Sequence, residues 1–397
     1  MRKYFECFIL VLSLLFIISA VRPATGAVFV QCPGDTNGDA QWTEGELPAP
    51  ANTACMHIIG SDGFATMADG RVMYIFSFSD GTGILPAQVL IGRELGAQIS
   101  APLIKAREGD DFYLTLSTAP MKVRPDLFDP HSVHWHGFPN AGTVFDGEPM
   151  ASLTPNPGTS FTYYYEVPGP GTYMYHCHVE ASEHMQMGML GNLYVTPLQD
   201  QGPPIGGFSK FAYNDTDGTT GYHVDYPLQI TAFDHEFHDA NQNVQPLPFA
   251  AMTDRYSLLN GRGYPDTVNP AVDLGRSADN NNKIAQPLPA LITSTAGQRV
   301  ILLRISSLST IKFYTLISPS IPMRVVGKDA ALLRGTTGSD LYYTTNSVTL
   351  GGGETIDVIL DTTGIPTGTY FLYTTNLNDL NNYQEDFGGM MTEIVIN

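Results

Sequence analysis

The sequence predicts an all-β protein built from two antiparallel β-sandwiches in tandem, and three observations point there. The 39 glycines and 28 prolines fall between short runs rich in Tyr, Thr, Val and other strand formers. Those runs alternate or stay apolar for a few residues, and none sustains a 3.6-residue period. The chain also echoes itself: Gly171-Thr172-Tyr173-Met174-Tyr175 returns as Gly368-Thr369-Tyr370-Phe371-Leu372, and the stretch from Gly188 to Val195 returns from Gly389 to Ile396.

The elements follow in chain order. Met1-Arg2-Lys3, the apolar run Phe8 to Ala20 and the small residues Thr25-Gly26-Ala27 read as a secretory signal over 1–27, too short in its apolar part to span a bilayer comfortably. The uncleaved anchor is the alternative. The expected location is therefore secreted or periplasmic. Residues 28–66 read as an irregular N-terminal extension. Within it, Asp35-Thr36-Asn37-Gly38-Asp39 with Glu46 is similar to a calcium loop, but Ala40 stands where the sharp turn wants glycine, so an acidic surface turn is preferred. A first domain is expected over 67–198, with strands around 71–76, 112–116, 161–165 and 191–195. The Pro-, Gly- and Gln-rich residues 199–207 read as a linker, and a second domain follows over 208–397, interrupted by a polar insertion from Pro270 to Lys283.

Composition narrows the function. With 20 Lys+Arg against 39 Asp+Glu, the formal charge of −19 argues against nucleic acid or an anionic membrane as the main partner. It would steer cationic donors or metal ions inward, while leaving phenols open. Of the four cysteines, Cys7 departs with the signal. Cys32 and Cys55 form the natural pair in an oxidising compartment, and Cys177 is left unpaired between two histidines.

Six of the ten histidines lie between 131 and 184. On a strand, the period of two sends His134 and His136 to one face; His176 and His178 share a face in the same way, with Cys177 pointing opposite. Paired on adjacent strands, those four imidazoles make one site, suited to copper that binds a small oxidant. His131, Cys177, His184 and Met189 make a second: two histidines, a thiolate and a weak axial methionine describe a blue-copper electron-transfer centre. Zinc is the main alternative, but its sites rarely combine a single cysteine with so many histidines and a positioned methionine.

His-Trp-His-Gly at 134–137 and His-Cys-His with His184 and Met189 resemble, in type and order, the motifs of the multicopper oxidases, the laccase-like cupredoxin family. Asn260-Gly261-Arg262-Gly263-Tyr264-Pro265 is similar to a second-domain segment of that family. The resemblance runs from about residue 70 to the end. It implies tandem cupredoxin-like Greek-key domains and copper as cofactor. It implies type 1 copper on His131, Cys177, His184 and Met189, and half of a trinuclear type 2/type 3 cluster on His134, His136, His176 and His178. The activity implied is oxidation of a reductant coupled to dioxygen reduction. The spacing from Cys177 to His184 looks more like two-domain oxidases and copper nitrite reductases than three-domain laccases.

The second copy departs from that pattern. Tyr373-Thr374-Thr375 stands where His-Cys-His is expected, and Tyr314-Thr315-Leu316-Ile317 where His-x-His is expected. Beyond the linker only His223, His235 and His238 remain, the last two in an Asp-His-Glu-Phe-His-Asp segment read as either a metal-binding turn or a solvated acidic loop. Three outcomes stay open: an oxidase whose cluster is completed by a partner subunit or by a homo-oligomer such as a trimer; a nitrite-reductase-like enzyme; or a blue-copper electron carrier. The oxidase is the reading adopted, because a pure carrier has no use for four further imidazoles.

Overall fold

The computed structural model describes residues 28–270 and 284–397, so the expected signal and nearly all of the polar insertion lie outside the described residues. The first domain contains β1 (Thr53–Thr66), β2 (Val72–Asp80), α1 (Pro86–Gly92), β3 (Ala101–Arg107), β4 (Asp111–Thr118) and β5 (His134–His136). It continues with β6 (Thr159–Glu166), β7 (Gly171–His176), α2 (Ala181–Met187) and β8 (Leu190–Thr196). These strands form two four-stranded sheets, ordered β2-β1-β4-β6 and β3-β8-β7-β5. Residues two apart on each strand enter the space between them: Phe112, Leu114 and Leu116 of β4 meet Trp135, Tyr175 and Leu193 in one core. Each such side chain contributes about 1.5–3 kcal/mol of transfer free energy before chain entropy is subtracted.

The second domain pairs its strands in the same order. One sheet runs Tyr256–Leu259, Val224–Phe233, Val300–Ser307, Thr355–Asp361 and Met323–Lys328, with two short strands added at its end. The other runs Ile292–Ser294, Met391–Ile396, Gly368–Thr374, Tyr314–Ile317 and Ser347–Leu350. The sheets are mixed where antiparallel sheets were expected: β1 runs parallel to β4, β3 to β8, and both relations recur in the second domain. Greek-key crossovers produce this, and alternation of apolar residues carries no information about strand direction.

Two further expectations need correction. Residues 53–66 are not irregular. They form β1, pairing with both β2 and β4. Gly60 in this strand makes a close approach: a Cβ there would lie 2.6 Å from His131 Cδ2. The segment around His235 and His238 is neither a turn nor solvated. It is helix α3 (His235–Gln242), capped by the Asp234 carboxylate on the Glu236 amide, with both histidines buried. His238 turns Nδ1 onto the Tyr74 carbonyl at 2.6 Å, and His235 packs on Tyr383. In the acidic loop, Asp35 accepts from the amides of Asn37, Gly38 and Ala40, while Glu46 accepts from those of Thr36, Asn37 and Thr43. Those bonds hold the Glu46 carboxyl down at about 2. Cys32 and Cys55 are bonded, with Cα atoms 5.8 Å apart, fixing this loop to β1.

Candidate metal centre

β5 forms the edge of its sheet and pairs antiparallel with β7, so His134 stands opposite His176 and Trp135 opposite Tyr175. The pleat sends Trp135 into the core and both β5 imidazoles out of the sheet on the other side. Donor atoms of His134, His136 and His176 all lie within 4.8 Å of one another. His178 follows the end of β7. Its ring sits 5.2 Å from that of His134 and 5.6 Å from that of His176, at the open side of the group.

Backbone carbonyls orient these rings. His134 Nδ1 meets Asp146 O at 2.7 Å and His176 Nδ1 meets Cys177 O at 2.9 Å, which turns Nε2 of each toward the group, where His176 Nε2 meets His136 Nδ1 at 3.4 Å. The first contact depends on Gly147: at φ +76° it lets the loop lie against β5 so closely that a Cβ there would be 2.0 Å from Val133 O. Burial, reinforced by the neighbouring imidazoles, lowers His176 to about 3 although the Cys177 carbonyl works the other way, and burial lowers His136 too. Both rings are therefore neutral at pH 7, the form that ligates metal. Across a cavity of about 360 Å³ the second domain faces these rings with Leu308, Ser309, Thr310, Gly352 and Gly353. None of them is a nitrogen ligand, and Gly353 approaches so near that a Cβ would lie 2.9 Å from His136 Nε2.

The second group lies behind the first. Donor atoms of His131, Cys177 and His184 also fall within 4.8 Å of one another, and all three residues are fully buried. Cys177 is a free thiol; its Sγ accepts the Ser132 amide at 3.4 Å and faces His184 Nδ1 at 3.2 Å. Helix α2 places His184: it spans seven residues and closes on Gly188 at φ +119°, accounting for the spacing from Cys177. Met189 donates its amide to His184 O at 2.8 Å and accepts the Cys177 amide at 3.1 Å, so backbone bonds link the three residues. Met189 is itself fully buried.

Both ring nitrogens of His131 are buried without a hydrogen-bond partner, as is His184 Nε2. Such orphaned nitrogens are costly unless something else satisfies them. Burial holds His131 well below the ordinary range. Burial also opposes the charged form of His184, but Cys177 and the Asp129 carboxylate outweigh it and push that ring up to about 10. Two imidazoles, a buried thiol and a methionine fit copper, and the exposed side of the neighbouring face fits imidazole-bound copper.

Sequence reasoning missed the groups that orient these ligands. Asp146, Ser132 and Cys177 act through backbone carbonyl or amide groups, which no side-chain pattern reveals. Gly60, Gly147 and Gly353 read as ordinary turn glycines. The His235 and His238 pair joins neither group.

Comparison with known proteins agrees with this geometry. Residues 94–200 match the family model described as multicopper oxidase. Over 100 residues the chain is 37% identical to the multicopper oxidase MmcO of Mycobacterium tuberculosis, covering 24% of this chain and 18% of that protein. Over 284 residues it is 24% identical to L-ascorbate oxidase of Cucurbita maxima, covering 70% of this chain and 44% of that one. The chain thus spans less than half the length of these relatives. Among solved structures, blue copper oxidase from Nitrosomonas europaea superposes with a TM-score of 0.63 at 22% identity, over 87% of this chain and 86% of that one. The fold is accordingly that of tandem cupredoxin domains, and the first domain matches the multicopper oxidase family.

Proposed function

We propose that the protein is a copper-dependent oxidase that takes single electrons from a reductant at the Cys177 group and delivers them to dioxygen at the imidazole face. One observation carries this reading: Cys177 belongs to both groups. Its Sγ faces His184 and its carbonyl oxygen holds His176 Nδ1 at 2.9 Å, so a single residue bridges the buried group and the open one. Copper, when bound, supplies one-electron redox chemistry in the first place and the dioxygen site in the second.

The chain's own residues do the rest. His131, Cys177, His184 and Met189 would hold the type 1 copper in a dry pocket. His134, His136 and His176, with His178 at the open side, would hold the other copper, with His134 and His176 oriented by Asp146 O and Cys177 O. Among the described residues, the second domain brings no further histidine to this face. The remaining ligands of a full cluster would come from another subunit, through a homo-oligomer or a separate partner. We also propose that the protein is exported, a reading supported by the basic and apolar start of the chain and by the Cys32–Cys55 disulfide.

Copper counting with visible and EPR spectra tests the reading. The expected result is a blue band, more than one copper per chain and oxygen uptake with a reductant. One type 1 copper and no oxygen uptake would overturn it in favour of an electron carrier. Nitrite-dependent NO production without oxygen uptake would overturn it in favour of a reductase.

A further inference from the structure

Helix α2 delivers His184 to the buried metal group, yet little in the helix itself fixes its position. It has seven residues, and Glu180 before it stands at φ +43° and gives no side-chain cap. Helices this short are marginal on their own in water, so packing must set where His184 stands. Part of that packing comes from the first domain: the Phe76 and His184 rings meet edge to face at 5.3 Å, and Ser77 Oγ donates to Gly188 O. The rest comes from the second domain, which brings no ligand to this group among the described residues.

Helix α3 of the second domain reaches into the first. Phe237 joins the first domain's core, and His238 holds the Tyr74 carbonyl on β2, the strand that carries Phe76. At the far end of α3, Asn241 Nδ2 donates to Glu183 Oε1 at 2.6 Å, immediately before His184. Asn241 and Glu183 are 3% and 8% exposed, so water does not stand in for this bond. Arg124 fixes the Asn241 side of it. Its Nη1 donates to the Asn241 carbonyl and, at 3.3 Å, to Oδ1, while Nη2 pairs with Asp126 at 2.7 Å. With Oδ1 facing a guanidinium, the amide must turn Nδ2 toward Glu183. A second bond crosses to the same helix, from Thr310 Oγ1 to Gln186 Oε1 at 3.4 Å.

We propose that Asn241 is a positioning residue for the buried metal group: through Glu183 it holds α2 where His184 can ligate, so the second domain governs a metal that it does not touch. Without the Asn241 donor, the Glu183 carboxylate would be buried and short of a partner, a costly state. The short helix would relieve it by opening toward water, taking His184 away from Cys177 Sγ, which Nδ1 now faces at 3.2 Å. Groups that orient a ligand in this way set the electronic properties of the metal it holds. The effect on copper rests on the type 1 reading of His184; the brace itself does not.

The test separates the two. In metal-free protein, amide hydrogen exchange across residues 181–189 is followed by mass spectrometry. Asn241→Leu keeps the size and removes the donor, so exchange in this segment should quicken about tenfold or more, the worth of one buried hydrogen bond to a charged group. Exchange in β3 and β4 should stay the same. The double variant Asn241→Asp with Glu183→Gln interchanges donor and acceptor, and should exchange at the wild-type rate. Unchanged exchange in Asn241→Leu, or a rise spread through the whole first domain, overturns the brace. Should Asn241→Leu not fold, the double variant decides: wild-type exchange supports the brace, and quickened exchange overturns it. In copper-loaded protein, EPR and redox titration of the blue band report the ligand geometry. Asn241→Leu should displace both, and the double variant should restore them; no displacement overturns the link to the metal. A wild-type protein without a blue band sinks the type 1 reading, and the exchange experiment still decides the brace.

Discussion

The two sandwiches put the same strand end to different uses. β7 and the second-domain strand Gly368–Thr374 each pair with the last strand of their domain, Gly171 opposite Val195 and Gly368 opposite Ile396. That register matches His176 to Tyr373 and Cys177 to Thr374. The Cys177 amide donates to Met189 O at 3.1 Å, and the Thr374 amide donates to Met390 O at the same distance. Opposite them, His134 faces His176 while Ile317 faces Tyr373. The second domain therefore keeps the backbone of the site and its buried methionine without the ligands. Hydrogen bonds fill the space: Tyr314 donates to Asp254 at 2.7 Å and meets Ser257 at 3.1 Å, and Asp379 accepts from Lys312 at 2.5 Å and Asn376 at 2.9 Å. There most of the polar groups pair with one another, with Asp254 Oδ1 left over. In the first domain His131 is left with two unpartnered nitrogens. The contrast shows that the scaffold alone does not make the metal site: the first domain sets unpartnered imidazole nitrogens beside a thiol, and the second does not.

The largest test of that contrast removes the thiol. Cys177→Ser should abolish the blue absorption while far-UV circular dichroism shows a folded protein; a surviving band would refute the assignment of Cys177. Gly147→Ala comes next. A Cβ 2.0 Å from Val133 O and a positive φ force the loop off β5, withdrawing Asp146 O from His134. Copper bound at the imidazole face should be lost, as counted by metal analysis, while the blue band persists. Loss of both signals together would mean that the two groups are not separable. The Tyr314 network makes an opposite prediction for the second domain. Tyr314→Phe leaves Asp254 short of a partner and should cost about 1–3 kcal/mol. Thermal unfolding should record a lower Tm, with the blue spectrum unchanged. A spectral change there would show that this network reaches the metal too.

Much of this was legible in the sequence. The two His-x-His pairs declare shared faces because strand periodicity is two, and Cys177 between His176 and His178 must then point the other way. The matching positions of the second copy were also readable, since repeated Gly-Thr-Tyr segments fix the register. What stayed hidden depends on tertiary proximity. Gly60 looks like a loop residue until His131 is seen filling the space its missing Cβ leaves. His235 and His238 look solvated because charged residues flank them, but Glu236 is on the exposed side of a short helix and Asp234 is its buried cap.

The smallest predicted effect separates backbone from side chain at the imidazole face. Asp146 sits beside His134, and its acidic side chain invites an assignment as a metal-site or proton-handling residue. The geometry argues otherwise. His134 Nδ1 meets the Asp146 carbonyl at 2.7 Å, while the nearest carboxylate oxygen stands at 3.4 Å on a side chain 36% exposed. Water screens a carboxylate so placed, and such pairs are worth about 0–1 kcal/mol. Asp146→Asn keeps the carbonyl and should leave copper content unchanged, with oxygen uptake altered no more than about twofold, in line with so weak a pair. Set beside Gly147→Ala, it asks whether the loop serves His134 through its path or its charge. A large loss of oxygen uptake in Asp146→Asn at full copper content would assign the carboxylate a role in proton delivery. Copper lost from Gly147→Ala but not from Asp146→Asn would leave the carbonyl as the group that holds the ring.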